Sequence, residues 1–250
     1  MSGHSKWSSI KHKKGAADAK RGQLFTKLTR ALIVAAKDGG PDPAANLALQ
    51  NAIDKARGAS MPKDNIERAI ARGAGTGADA ANYEHISYEG YAPGGVAVYV
   101  EVLTDNRNRT AGEVRHVFAR GDGNLAESGA VAWLFERKGV ILVDGSADED
   151  ELTLAAADAG AEDVVREGSS FEVTCAPEDL RGVREALEAA AIEISEAEAT
   201  MLPKTTVSIE DETTARKVLK LIDSLEELDD VQDVYANFDI PERVLETVAA

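Results

Sequence analysis

Between Ala17 and Lys37, apolar side chains recur at helical spacing. Leu24, Phe25, Leu28, Leu32 and Ala36 fall on one arc, and Lys20, Lys27, Arg30 and Lys37 on the opposite side. The pattern predicts a helix with one packing face and one basic face. Gly39-Gly-Pro41 ends it, and a second helix is expected from Pro43 to Arg57, with Leu49, Ile53 and Ala56 in register and Gly58 as its stop. A third follows Ser60-Met-Pro62 and runs to Arg72, with Asp64 and Glu67 near its positive end and Arg68 and Arg72 toward the other. Residues 17–72 thus read as a three-helix domain.

Gly73 to Ala81 has the composition of a flexible linker. It is not a phosphate loop, because no strand precedes it and no Gly-Lys-Ser/Thr follows. Beyond it the period changes. Tyr83 to Tyr91 and Val96 to Leu103 flank the turn residues Ala92-Pro-Gly-Gly95 and predict a hairpin. Thr104-Asp-Asn106 can cap a helix from Arg107 to Arg120, with Val114, Val117 and Phe118 inward. Val131 to Phe135 and Val140 to Val143 read as strand material. Next come a helix (Asp148 to Ala159), two strands (Glu162 to Arg166, Phe171 to Cys175), a helix (Pro177 to Ala190) and a strand (Glu193 to Ala199). With the strand before it, the order is βαββαβ, that of a ferredoxin-like sandwich.

The final segment offers a strand (Thr205 to Ile209), a helix (Glu212 to Leu225) and a strand (Val231 to Asn237) with no partners nearby in sequence. The hairpin and helix of residues 82–130 are short for a stable sheet, so the two incomplete parts are expected to complete each other. The predicted fold is α+β and multidomain: a three-helix N-terminal domain, then two ferredoxin-like-type α/β domains, one inserted in the other. The expected divisions are 1–80 for arm, helical domain and linker, 81–130 plus 204–240 for a discontinuous middle domain, 131–203 for the insert, and 241–250 for a C-terminal tail.

Charge changes this picture from architecture to function. The first 37 residues hold nine Lys/Arg and one acidic residue, whereas the chain of 250 residues has a net charge of −16. Residues 1–80 carry 14 basic and 7 acidic residues, net +7, so residues 81–250 carry the remaining 14 and 37, net −23. The arm from Met1 to Gly15 has too little apolar content to fold alone, and Lys6, Lys11, Lys13 and Lys14 repel one another in it. A phosphate backbone relieves that repulsion and releases counterions, while the acidic body orients the basic end. A plain solubilising leader is the competing reading. Trp7, between Lys6 and Lys11, either stacks on an unpaired base or anchors the arm on the helical domain.

Other chemistry is sparse. Cys175 is the single cysteine and lies in an alternating run, which indicates a buried strand position and excludes an internal disulfide. The four histidines, His4, His12, His85 and His116, lack metal-ligand spacing, and no hydrolase elbow, Walker sequence or deaminase pair is present. Asp148 to Glu151 and Glu226 to Asp230 read as solvated acidic faces and turns. No catalytic residue, cofactor or metal is predicted. Arg107 and Arg109 open a helix and form the best second anion site, unless nearby carboxylates pair them. No apolar run approaches the ~20 residues a membrane span needs, and the N-terminus is too polar for a signal peptide, so cytoplasm is expected.

Five segments in order, Gly3 to Trp7, Lys11 to Gly22, Pro62 to Arg68, Tyr88 to Gly95 and Leu103 to Thr110, closely resemble the YebC/PmpR family. The resemblance runs essentially end to end. It implies a cytoplasmic protein with a helical domain and two α/β domains, and no enzyme activity. It also implies one of two roles: a DNA-binding transcriptional regulator, or a ribosome-associated translation factor that eases synthesis of proline-rich stretches. A mitochondrial relative activates translation of a cytochrome oxidase subunit. The residues lean toward RNA, because no helix-turn-helix pattern offers Asn, Gln or Arg for major-groove base edges. The expected contact set is His4, Lys6, Trp7, Lys11, Lys13, Lys14, Lys20, Arg21, Lys27 and Arg30 on rRNA or tRNA, with duplex DNA as the alternative target. The acidic α/β domains are left for orientation or a protein partner, and no membrane is involved. A third class, an acidic interaction module with an incidental arm, would keep its partner when residues 1–15 are deleted.

Overall fold

A computed structural model describes residues 17–75, 83–168 and 170–249. The helical pattern at the start gives α1 (Ala17–Gly39), α2 (Leu47–Gly58) and α3 (Lys63–Gly73). Leu28, Leu32 and Ile33 of α1 meet Leu49 and Ile53 of α2 and Ile66 of α3 in a small core of their own. The second helix begins four residues later than its pattern suggests. Asn46 is the reason: its Oδ1 accepts from the Leu49 amide at 3.1 Å, and its Nδ2 donates to Ala35 and Gly40 carbonyls at 2.7 and 2.8 Å. The residue therefore caps α2 and closes the α1 C-terminus together.

The hairpin forms as β1 (Glu84–Ala92) and β2 (Val96–Thr104), turned through Gly94 and Gly95 at φ of 77° and 78°. Glycine adopts that left-handed backbone without the steric cost a Cβ would add. Helix α4 (Arg107–Arg120) follows, capped by the Asn106 side chain, and a short β3 (Asn124–Leu125) pairs beside β1. Close approach is required there, since a Cβ on Gly90 would stand 2.6 Å from both the Phe118 ring and the Asn124 carbonyl.

The next segment contains β4 (Phe135–Asp144), α5 (Glu149–Asp158), β5 (Ala161–Glu167), β6 (Ser170–Cys175), α6 (Leu180–Ala189) and β7 (Ile194–Pro203). Its strands lie in the order β5-β6-β4-β7, every neighbour antiparallel, which is the ferredoxin-like arrangement. Ile141, Val143, Phe171 and Val173 pack under Leu152 and Leu187 of its two helices.

The chain then returns to the first sheet. After β8 (Val207–Ser208), helix α7 (Glu212–Glu226) and β9 (Val231–Ala236), the sheet order is β3-β1-β2-β9. Val98, Val100 and Val102 on one face of β2 bury against Val114 and Phe118 of α4 and Val218 and Ile222 of α7. One ferredoxin-like-type unit is thus inserted in another α/β unit, as the pattern indicates.

Two expectations need correction. Val131 to Phe135 is not a strand: a 3-10 turn spans Ala132–Leu134, and β4 begins only at Phe135. The amides of Gly129, Val131 and Ala132 turn instead to the buried Glu89 carboxylate at 2.7, 2.7 and 2.8 Å, so they are withdrawn from any ladder. Residues after 240 are not a tail either. A short β10 (Phe238–Asp239) pairs in parallel with β8, and α8 (Glu242–Ala249) seats Val244 and Leu245 in the middle core.

Candidate nucleic-acid interface

His4, Lys6, Trp7, Lys11, Lys13 and Lys14 lie outside the described residues. Lys20 and Arg21 fall in the first turns of α1, immediately after that arm. A helix N-terminus carries partial positive charge, so cations there raise a local potential that an anion relieves.

Lys27 and Arg30 have another environment than an open basic face. Lys27 Nζ donates to the Glu226 carbonyl at 2.6 Å, Gln23 Nε2 to the Glu227 carbonyl, and Arg30 Nη1 to the Asp229 carbonyl. These carbonyls belong to the C-terminal end of α7 and the turn beyond it, where unpaired acceptors and the helix dipole attract cations. Arg30 Nη1 also lies 3.1 Å from Oδ1 of Asp230, and its guanidinium sits 5.7 Å from the Tyr83 ring centre. The basic side of α1 is therefore used, at these two positions, to dock the helical unit on the middle one.

Asp230 is the hinge of that junction and is fully buried, although the acidic run around it reads as solvated. Its Oδ2 lies 2.7 Å from Arg109 Nη2, 3.0 Å from the Thr104 hydroxyl and 2.6 Å from the Thr110 hydroxyl. Burial alone would raise this carboxyl, but Arg109, the two threonines and the nearby Arg30 charge hold it below the ordinary value. No periodicity marks Asp230. Only the spacing of Thr104 and Thr110 around an Asn cap hints that a carboxylate is needed there.

Of the second anion pair, Arg109 is committed to Asp105 at 2.9 Å and Asp230 at 2.7 Å. Its guanidinium serves carboxylates, as the competing reading has it. Arg107 is different: it is largely exposed, and the ion pair to Glu84 is long, 3.8 Å. With Asn108 and Arg115 it borders a groove of about 840 Å³ beside β1.

The opposite end of α2 meets an acidic surface. Lys55 Nζ lies 3.2 Å from Glu198 of β7 and 4.0 Å from Asp233 of β9. Asp233, then Glu198 and Glu196, outweigh desolvation and raise the Lys55 ammonium above its usual range. Glu101 stands directly across from Asp233 in the β2–β9 register, and burial together with that like charge pushes its carboxyl up. The three units thus converge through one lysine on clustered carboxylates, a surface that repels phosphate.

Cys175 is buried in β6, and desolvation first, then Asp179 and Glu162, raises its thiol, so it lacks the thiolate character of a nucleophile. Among the described residues no group of three or more His, Cys, Asp or Glu is placed to hold a metal ion, and no helix is long and apolar enough to cross a membrane.

Residues 5–76 match the sequence family described as the TACO1/YebC protein N-terminal domain, and residues 83–238 match the TACO1/YebC second and third domain. A protein of Rubrobacter xylanophilus is 60% identical over 250 residues, covering 100% of both chains, and one of Trichlorobacter lovleyi is 59% identical over 96% of each. Both are named "Probable transcriptional regulatory protein". The crystal structure of a conserved hypothetical protein from Aquifex aeolicus is similar at 53% identity and a TM-score of 0.80, over 90% of this chain and 93% of that one.

Proposed function

The chain belongs to the TACO1/YebC family, and on that footing we propose that it regulates gene expression without catalysis, by gripping nucleic acid through its basic N-terminal arm. The single observation that carries this is where the cations are. Nine of the first 37 residues are basic, and Lys27 and Arg30 are taken up by α7 and Asp230. Of the other seven, Lys37 stands apart at the far end of α1, and Lys6, Lys11, Lys13, Lys14, Lys20 and Arg21 follow one another in sequence as the set we assign to the target. They neutralise phosphates, and His4 and Trp7 add polar or stacking contacts.

RNA is the favoured target, with the ribosome as its setting. The longest helix of the helical unit buries one side in its own core and turns Lys27 and Arg30 into the molecule. That withdraws Lys27 and Arg30 from the face a major-groove helix would present. A lysine-rich arm instead threads among rRNA or tRNA phosphates, and the acidic units orient it or meet a protein. Help with proline-rich synthesis is the finer form of this role, and cytoplasm its setting. Duplex-DNA regulation is the second reading, favoured by the names of the relatives.

Fluorescence anisotropy with a labelled rRNA fragment and a duplex of matched length tests the choice. Tighter RNA binding, abolished by Lys11→Glu, Lys13→Glu and Lys14→Glu together, supports the proposal. Binding unchanged in that triple variant sinks it.

A further inference from the structure

We infer that the outer edge of β1 docks an extended, acidic peptide segment of a partner protein, which joins the middle sheet as a further strand while two of its carboxylates meet Arg107 and Arg115. The site lies apart from the basic arm and does not depend on what the arm binds.

Strand β3 covers only the far end of β1. It pairs with Gly90 and Tyr91, and beside it the Ala126 amide donates to the Glu89 carbonyl at 2.8 Å. The Glu89 main chain therefore faces outward, away from β2. Along an antiparallel strand the main-chain groups of successive residues point to alternate sides, so those of Ser87 and His85 face outward as well. Among the described residues nothing pairs with these two amides or their carbonyls. An open edge is a template for another strand, and proteins commonly blunt one with lysine, proline or a bulge. The stretch Glu84 to Glu89 has no lysine or proline, and its register with β2 runs without a shift.

The groove of about 840 Å³ lies along this edge, since residues 84–89 line it in unbroken succession. A groove over one face of the strand would meet only alternate residues. Helix α4 forms the other wall with a single stripe, Arg107, Asn108, Ala111 and Arg115. Among the described residues Arg115 has no ion pair, and Arg107 has only the long one to Glu84, 3.8 Å. The groove's other carboxylate, Glu89, is already taken by the amides of Gly129, Val131 and Ala132.

These features select the occupant. Main-chain donors and acceptors in alternation match an extended peptide. A phosphate backbone would meet the outward carbonyls acceptor to acceptor. A second copy of β1 could pair edge to edge, but it would bring the arginines of the two copies together, and like charges oppose that. Carboxylates remain as the complement. Arg107 and Arg115 are about 12 Å apart along α4, and side chains four residues apart on one face of a strand span about 13 Å. Residues 81–250 are at net −23, so a segment with acids at those two positions and neutral residues elsewhere fits better than an acidic run.

The probe is a synthetic peptide of about seven residues, valine and threonine in alternation with two aspartates four positions apart. Added to the full-length chain to nine-tenths occupancy, it is expected to slow hydrogen exchange at the His85 and Ser87 amides about tenfold, with little change at Ile86 and Tyr88, which already face β2. Arg107→Ala with Arg115→Ala should weaken its binding about fivefold, as two exposed ion pairs would. Ser87→Pro removes an outward amide that the ladder to β2 does not use, a place where an edge strand accepts proline, and should abolish binding. The same peptide with N-methylated main chain should not bind the unaltered protein. Failure of the peptide to bind, or binding that leaves His85 and Ser87 exchange unchanged, overturns the site. Protection of those amides that rises with protein concentration alone would assign the edge to a second copy, and protection by a uridine strand in place of the peptide would assign the groove to nucleic acid; either result also overturns it.

Discussion

The Arg30 guanidinium lies 3.1 Å from Oδ1 of Asp230, joining the first helix to the turn between α7 and β9. The other oxygen of the same carboxylate takes Arg109, Thr104 and Thr110. One buried side chain therefore fixes the start of α4 and the seat of α1 together. Asp230→Ala strands two guanidinium groups and two hydroxyls, and removing one partner of such a buried set costs about 3–5 kcal/mol. Urea unfolding is expected to show that loss, and limited proteolysis to release the helical unit before the sheets.

Acid should act through the same carboxylate. Its folded value lies below the ordinary one, so its contribution is complete above the unfolded pKa and disappears as pH falls through the folded pKa. Stability is therefore expected to drop below about pH 4. Asp230→Asn should flatten that acid limb in thermal melts taken across the range, while leaving the neutral-pH slope unchanged.

Glu89 organises residues 126–134 by accepting three amides. Glu89→Gln places an amide group against donors and leaves at least one buried N–H unsatisfied, at a cost of about 1–3 kcal/mol. Hydrogen exchange should report it locally, as lost protection at Val131 and Ala132, before any change in the ferredoxin-like insert.

Most elements were legible because local chemistry and burial agree. Arg107 to Arg120 is read correctly from its caps, since Asn106 accepts the Arg109 amide and Gly121 ends the helix. The βαββαβ order follows from alternation, because each strand buries one face under α5 and α6. Failures occur where a distant group overrides the local pattern. Val131 to Phe135 has strand composition, but a carboxylate from β1 captures its amides. Residues after 240 look like a tail until Val244 and Leu245 find a core built from elements before and after the insert. Asp230 sits in a run of acids, and nothing local separates the buried member from its solvated neighbours. The candidate site divides likewise: the cation-rich arm is plain in the sequence, while the docking of Lys27 and Arg30 on α7 depends on tertiary structure.

Salt offers a count of the phosphates engaged. If Lys6, Lys11, Lys13, Lys14, Lys20 and Arg21 each neutralise one phosphate of a single strand, log K should fall against log salt with a slope of about −4. Reversing Lys11, Lys13 and Lys14 should shrink its magnitude by about 2. Lys27→Ala should leave the slope unchanged, because that ammonium serves the Glu226 carbonyl.

Crosslinking in cells, followed by sequencing of the attached nucleic acid, tests nucleic-acid binding through the arm most directly. The unaltered chain is expected to recover ribosomal RNA, and the chain with Lys11→Glu, Lys13→Glu and Lys14→Glu to lose it. Equal recovery by both chains would contradict the account, and discrete DNA peaks sharing a sequence would replace the ribosome with a promoter.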